Sequence, residues 1–285
     1  MLHLDLGPLN RPILFFGGPY SNYQATEALL NIAQAKCFPM DHIICTGDVV
    51  AYAAQPNETA NLIRESGIHT IKGNCEESLA NGHLDCGCGF DSNMQCALMS
   101  VNWYGYAKHR VSAANKTWMR HLPHTLTFSL NGIRCSVVHG SIDHINEFIF
   151  PSSDATKKQA QLAKSGSHVM IAGHSGLPFG ERLVSSDHTG LWLNSGVIGL
   201  PANDATTDGW YMVLTPEDTG VRASWHRLPY DYSTCQDYMQ AANLLDYMDT
   251  MQSGLWPSMD VLPDAERSQQ GQTLELDSLY FSPCA

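Results

Sequence analysis

Four residues set far apart in the chain carry the side chains of a metal centre: Asp48, Asn74, His139 and His174. A carboxylate, an amide oxygen and two imidazoles make a mixed oxygen and nitrogen donor set, suited to Zn, Mn, Fe or Ni rather than to Ca or Mg. Singly, each has an ordinary reading, because Asp and Asn form turns and a polar residue can close a strand. Their neighbours make a pattern of them. Three directly follow glycine, as Gly47-Asp48, Gly73-Asn74 and Gly173-His174, and His139 directly precedes Gly140. Close approach of backbones to one shared site accounts for glycine at such places.

The elements that must position these groups read as an α/β layer fold, with short apolar runs alternating with helical stretches. Strands are expected over 13–16, 42–46, 68–71, 126–130, 135–138, 169–172 and 191–193. Two more, over 211–214 and 221–228, should pair antiparallel, since Pro216 and Gly220 leave only a turn between them. Ser21 and Gln24 have capping-box spacing, so a helix is expected to begin near Ser21. Pro56 opens a second helix that Gly67 ends, and 154–165 forms a third. Ser233 and Gln236 open a last helix, with Met239, Leu244, Leu245, Met248 and Met251 on its buried face, running to Gly254. Residues 79–125 break the rhythm with Asn-Gly, Cys-Gly-Cys-Gly and many aromatics, and read as an insertion. Its Trp103, Tyr104, Tyr106 and Trp118 could wall a nucleoside, but a helix packing its aromatic face on the core is the better reading. The main domain is taken as 1–254, with a polar C-terminal extension over 255–285. Five of the strands deliver Gly17-Gly18, Asp48, Asn74, His139 and His174 at their carboxyl ends, the edge where open α/β sheets bind ligands.

Composition narrows the partners. The 285 residues carry 16 Lys and Arg against 28 Asp and Glu, a net charge of −12, which repels nucleic-acid duplexes and anionic membrane surfaces. No apolar run is long enough for a membrane span and the opening residues lack an export-signal pattern, so a cytoplasmic protein is expected. Most of the nine cysteines should then be reduced thiols. Cys75, Cys86, Cys88 and Cys96 lie close in sequence and could bind a soft metal, form a redox pair or stay buried and inert; Cys-x-Cys is not the spacing of zinc ribbons.

At the four candidate ligands the sequence resembles the calcineurin-like metallophosphoesterases, in their compact bacterial branch of phosphodiesterases and phosphatases. The blocks that carry the resemblance are Thr-Gly-Asp48, Gly-Asn74-Cys-Glu, Val-Val-His139-Gly-Ser and Ala-Gly-His174-Ser-Gly, with Asn194-Ser-Gly-Val-Ile-Gly-Leu-Pro201 similar to a further family segment. The resemblance covers about residues 13–228. It implies a four-layer α-β-β-α sandwich of two mixed sheets flanked by helices, and hydrolysis of a small phosphorylated substrate. Asp48, Asn74, His139 and His174 match the family's second-metal set, with Asp48, Asn74 and His139 as catalytic residues.

The departures from the family pattern concern the first metal. Its Asp-x-His-Gly-Asn block aligns with Gly18-Pro19-Tyr20-Ser21-Asn22, and the second histidine of Gly-His-x-His has become Gly176. The expected cofactor is therefore one divalent transition metal, Zn, Mn, Fe or Ni. Gly17, Gly18 and the helix start at Ser21 and Asn22 could bind phosphate through free backbone N–H groups. Tyr20 could donate its hydroxyl to a phosphate oxygen or bind metal as a phenolate; equally, Gly18 and Tyr20 could pack a vacated pocket. Cys75 stands where many relatives have a histidine acid, and His144 with Asp143 could reach substrate from the loop after His139. The alternative function is a catalytically impaired scaffold serving as a ligand-binding or regulatory module. A dinucleotide loop at Gly17-Gly18-Pro19-Tyr20 ranks last, because the Gly-x-Gly-x-x-Gly spacing is absent and Pro19 removes an amide.

Overall fold

A computed structural model describes residues 2–89, 95–185 and 189–283. Its strands are β1 (His3–Leu9), β2 (Ile13–Phe16), β3 (Ile43–Cys45), β4 (His69–Thr70), β5 (Thr125–Leu130), β6 (Ile133–Val138), β7 (Val169–Ala172), β8 (Pro178–Val184), β9 (Thr189–Ser195), β10 (Gly209–Glu217), β11 (Gly220–Leu228) and β12 (Leu279–Phe281). They form two mixed sheets, in the orders β1-β5-β6-β7-β9-β8 and β12-β11-β10-β2-β3-β4. The helices are α1 (Tyr23–Ala35), α2 (Pro56–Ser66), α3 (Asn74–Asn81), α4 (Gln95–Arg110), α5 (Ala113–His121), α6 (Ala155–Ser165), α7 (Tyr232–Ala241), α8 (Met248–Ser253) and α9 (Asp264–Arg267). No described helix is long and apolar enough to cross a membrane.

The layering follows from strands that are apolar on both faces. In β2, Ile13 and Phe15 join the core between the sheets, while Leu14 and Phe16 join the core under α1, α2 and α4. Because side chains alternate across a strand, an unbroken Ile-Leu-Phe-Phe run has to be covered on both sides. A third cluster, with Val138, Met170 and Trp192, packs the outer face of the first sheet near Leu162 of α6. This is the expected sandwich of two mixed sheets between helices. The 211–214 and 221–228 strands pair antiparallel, with Met212 opposite Trp225.

Local readings shift in three places. Asn22, not Ser21, caps α1, accepting from the Ala25 amide at 3.1 Å. The last expected helix is two: Asp231 caps α7, which ends at Ala241, and Asn243 at φ 56° turns the chain before α8. Leu245, in that turn, is consequently exposed. The third concerns the tail, where Phe281 of β12 pairs with Val221 at the sheet edge and Trp256 donates its indole N–H to the Pro201 carbonyl.

Asp231 provides a pH test of this end of the chain. Hydrogen bonds from Ser233 and Thr234 hold its pKa at about 2. A depressed carboxyl stabilises the fold above its unfolded value near 3.8 and loses that contribution as pH falls towards 2. Asp231→Asn is therefore expected to lower the melting temperature at pH 6, and the gap to the native protein should narrow on acidification towards pH 2 in thermal melts.

Candidate metal centre

Each expected ligand sits in the loop or helix start after a strand: Asp48 after β3, Asn74 at the start of α3 after β4, His139 after β6 and His174 after β7. All four are buried. Asp48 and His174 have positive φ, 55° and 59°, a backbone state that costs non-glycine residues energy and concentrates at functional sites. The glycines beside them leave no room: a Cβ on Gly73 would lie 2.3 Å from Asp48 Oδ1, and one on Gly47 2.9 Å from His139 Nδ1.

His139 sits at the centre of the group. Its Nδ1 lies 2.6 Å from the Thr46 carbonyl oxygen, which can only accept, so Nδ1 carries the proton. Nε2 then faces Asp48 Oδ2 at 3.1 Å, Asn74 Oδ1 at 3.1 Å and His174 Nδ1 at 3.2 Å. The Asn74 amide is oriented from behind, where its Nδ2 donates to the Cys86 carbonyl at 2.9 Å. Donor atoms of Asp48, His139 and His174 all lie within 4.8 Å of one another. Converging lone pairs of this kind repel unless a positive charge sits among them.

The protonation pattern fits that requirement. Burial would raise the Asp48 carboxyl, but the two imidazoles outweigh it and hold it well below the usual carboxylate range. Burial lowers His139 while Asp48 raises it more, so its pKa lies above the ordinary value; burial and the His139 charge keep His174 low. Without an ion, one proton on His139 serves as the cation. With one, the donor set of one carboxylate oxygen, one amide oxygen and two imidazole nitrogens suits a transition metal.

A sequence family described as the calcineurin-like phosphoesterase superfamily domain matches residues 20–219. The chain belongs to this superfamily. It is 27% identical over 184 residues to an uncharacterized protein of Methanocaldococcus jannaschii, covering 64% of this chain and 67% of that one. A metallophosphoesterase from Sphaerobacter thermophilus superposes with a TM-score of 0.65 at 19% identity, covering 87% of this chain and 100% of its own. A hypothetical protein from Pyrococcus horikoshii OT3 gives 0.66 at 14% identity, with the same coverage. At these identities the two structures establish a shared fold.

Against the phosphoesterase pattern, the segment expected to bind phosphate does something else. The amides of Gly17, Gly18, Tyr20, Ser21 and Asn22 donate to the carbonyls of Gly196, Gly47, Asp48, Val49 and Pro19 respectively. None is free for an anion, which corrects the expectation for this loop. Ser21 and Asn22 are buried; Ser21 Oγ accepts from the Ala51 amide and Asn22 Nδ2 donates to the Gly199 carbonyl. The Tyr20 ring leans back over Gly18, where a Cβ would meet its carbons at 2.5 Å, and packs against Tyr52 with centroids 4.7 Å apart. Burial, then the Asp48 charge, push the Tyr20 phenol well above its ordinary pKa. The Trp256 ring lies over the other substituted position, 3.3 Å from where a Gly176 Cβ would be. Gly18→Ala is expected to cost about 1–3 kcal/mol, because the new methyl overlaps the Tyr20 ring at a φ of 42°; chemical denaturation measures it.

Cys75 is buried and its amide donates to Asp48 Oδ1 at 3.1 Å. Burial, then the Asp48 charge, raise its thiol well above the ordinary value, which suits it poorly to protonating a leaving group. His144 lies exposed on the loop after His139, and Asp143 is taken up by Lys164 and Gln161. Cys86 and Cys88 are joined in a disulfide, whereas Cys37, Cys45, Cys75, Cys96, Cys135 and Cys235 are free; Cys284 lies outside the described residues. Trp103 and Tyr104 are core residues of α4.

Glu76 went unnoticed in the sequence although it sits in the Gly-Asn74-Cys-Glu block. Its carboxylate accepts from the amides of Asp48 at 2.7 Å, Gly73 at 2.9 Å, Val49 at 2.8 Å and Val50 at 3.4 Å. It thus ties the Asp48 loop to the start of α3. The available signal was its position three residues after Gly73, the capping-box place of an acid at a helix start.

Proposed function

We propose that this protein is a phosphoric ester hydrolase working with a single divalent transition metal, held by Asp48, Asn74, His139 and His174, on a small phosphorylated substrate. The observation that carries the reading is the convergence of Asp48, Asn74 and His174 on His139 Nε2, next to aromatic rings at Gly18 and Gly176, two of the three positions where the family pattern has its other ligands, the third being Tyr20 itself. When bound, the ion supplies Lewis acidity, acidifying a water and polarising a phosphoryl oxygen. The chain's own part is orientation. Thr46 keeps the His139 proton on Nδ1 and frees Nε2, the Cys86 carbonyl turns the Asn74 oxygen inward, and Glu76 fixes the loop that carries Asp48. Contacts of this kind, made behind the ligating atoms, set the direction and basicity of ligands. Six of the described cysteines are free thiols, in keeping with a reducing, cytoplasmic setting, while the Cys86–Cys88 disulfide runs against it.

Full-length protein loaded with Mn or Zn should contain about one equivalent per chain by mass spectrometry and hydrolyse bis(p-nitrophenyl) phosphate. Metal-replete protein that turns over neither this diester nor p-nitrophenyl phosphate would favour the ligand-binding module instead.

A further inference from the structure

A cleft of about 50 Å³ opens beside His174. Its walls are Tyr20, Tyr52, Phe148, Tyr247 and Trp256, with Ser258 and Val261 from the tail segment. It lies where the family pattern would have the side chains now absent at Gly18 and Gly176, so the aromatic rings stand in their place. Phe148 stacks on the His174 ring with centroids 4.1 Å apart, and Tyr52 meets Tyr247 at 4.2 Å. Among the described residues no Lys, Arg, Asp or Glu lines the cleft.

Charge sets what such a cleft can accept. A divalent ion with the Asp48 carboxylate leaves at most one net positive charge, since a second carboxylate, Glu76, lies beneath it among four backbone N–H donors. One negative charge on the ligand balances the site. A phosphodiester carries one, a monoester up to two and a polyphosphate more, and the walls hold no cation for the excess. Flat apolar groups meet aromatic faces with favourable stacking.

Building on the single-ion reading above, we propose that this cleft receives the aromatic ester group of a singly charged phosphodiester whose phosphate lies at the metal. That volume of about 50 Å³ is less than a ring needs, so a ligand must push back one wall. The wall outside helix and strand is the segment 254–263, which carries Trp256, Pro257, Ser258 and Val261; within it Trp256 bonds Asn203 and Pro201, so the displacement falls on Pro257 to Val261.

The test uses full-length Mn-loaded protein and calorimetric titration with methyl phenyl phosphate, dimethyl phosphate and pyrophosphate. The aryl diester is expected to bind at least about tenfold more tightly than dimethyl phosphate, as burial of a ring's apolar surface requires, and more tightly than pyrophosphate. Val261→Trp, which narrows the mouth, should reduce the aryl preference. Equal binding of the two diesters, or tighter pyrophosphate binding, overturns the proposal whether or not the variant folds. Turnover of bis(p-nitrophenyl) phosphate in the same preparation separates the two readings. Turnover without aryl preference sinks the cleft assignment alone, whereas aryl preference without turnover supports the cleft and counts against hydrolysis.

Discussion

Replacing His139 with alanine is expected to remove the bound metal, from about one equivalent to a small fraction, and to cut diester hydrolysis by about 10³-fold. The estimate follows from the several kcal/mol that Lewis-acid stabilisation contributes, at 1.36 kcal/mol per tenfold. His139 is the ligand to choose because its Nε2 is the point on which Asp48, Asn74 and His174 converge. The variant also leaves the Thr46 carbonyl without its donor, so a circular-dichroism melt must accompany the assay. A folded variant that keeps its metal and its rate would place the chemistry elsewhere in the molecule. A folded variant without metal or rate would tie both to this cluster.

Glu76→Ala is expected to have the largest effect on stability. It strands the amides of Asp48, Val49 and Gly73, each bonded to Glu76 at 2.7–2.9 Å, in a buried setting. An unsatisfied buried donor costs about 1–3 kcal/mol, and water entering the space left behind recovers some of this. A net loss of about 3 kcal/mol lowers the melting temperature by about 6–12 °C for a chain of this size. Metal affinity should fall with it, since Asp48 loses the contact that fixes its loop. Glu76→Gln is informative in another way, because its NH2 group would face amide donors that need an acceptor. Burial and the Asp48 charge push the Glu76 pKa up to about 7. A carboxyl raised in the fold contributes stability that is complete below its unfolded value near 4.5 and is lost as pH rises through 7. The stability gap between native protein and Glu76→Ala should therefore shrink from pH 5 to pH 8. A gap that widens over that range would mean the four amides hold the carboxylate more strongly than burial opposes it.

How much could be read before the fold was known varies by element, and the reasons are physical. The inner strands were legible because β2 and β7 are buried on both faces and therefore show as unbroken apolar runs, Ile-Leu-Phe-Phe and Val-Met-Ile-Ala. The edge strands β1 and β12 were not. Apart from the buried Phe281 their residues are half-buried or exposed, and what makes them strands is a partner 122 or 58 residues away, as in His3 against Thr125 and Arg222 against Tyr280. Helix starts were misplaced by one or two residues because several side chains near a start can cap it; Asn22 and Asp231 do so while neighbouring serines bond elsewhere.

For the site, residue types and glycine neighbours were enough to single out Asp48, Asn74, His139 and His174, since donor chemistry is local and close backbone approach leaves glycine in the sequence. Which groups share space is a different kind of property. That Tyr20 packs on Tyr52, that Trp256 from the tail covers Gly176, and that most amides of the first loop are already spent on carbonyls depend on contacts between segments remote in the chain. Periodicity and composition record which face of an element is apolar, but not which distant ring fills a gap or which carbonyl reaches an amide first. The amino-acid sequence alone determined the layered scaffold and the set of oxygen and nitrogen donors at its strand ends; tertiary packing decided that aromatic rings stand beside those donors and that no backbone donor of the glycine loop is left for phosphate.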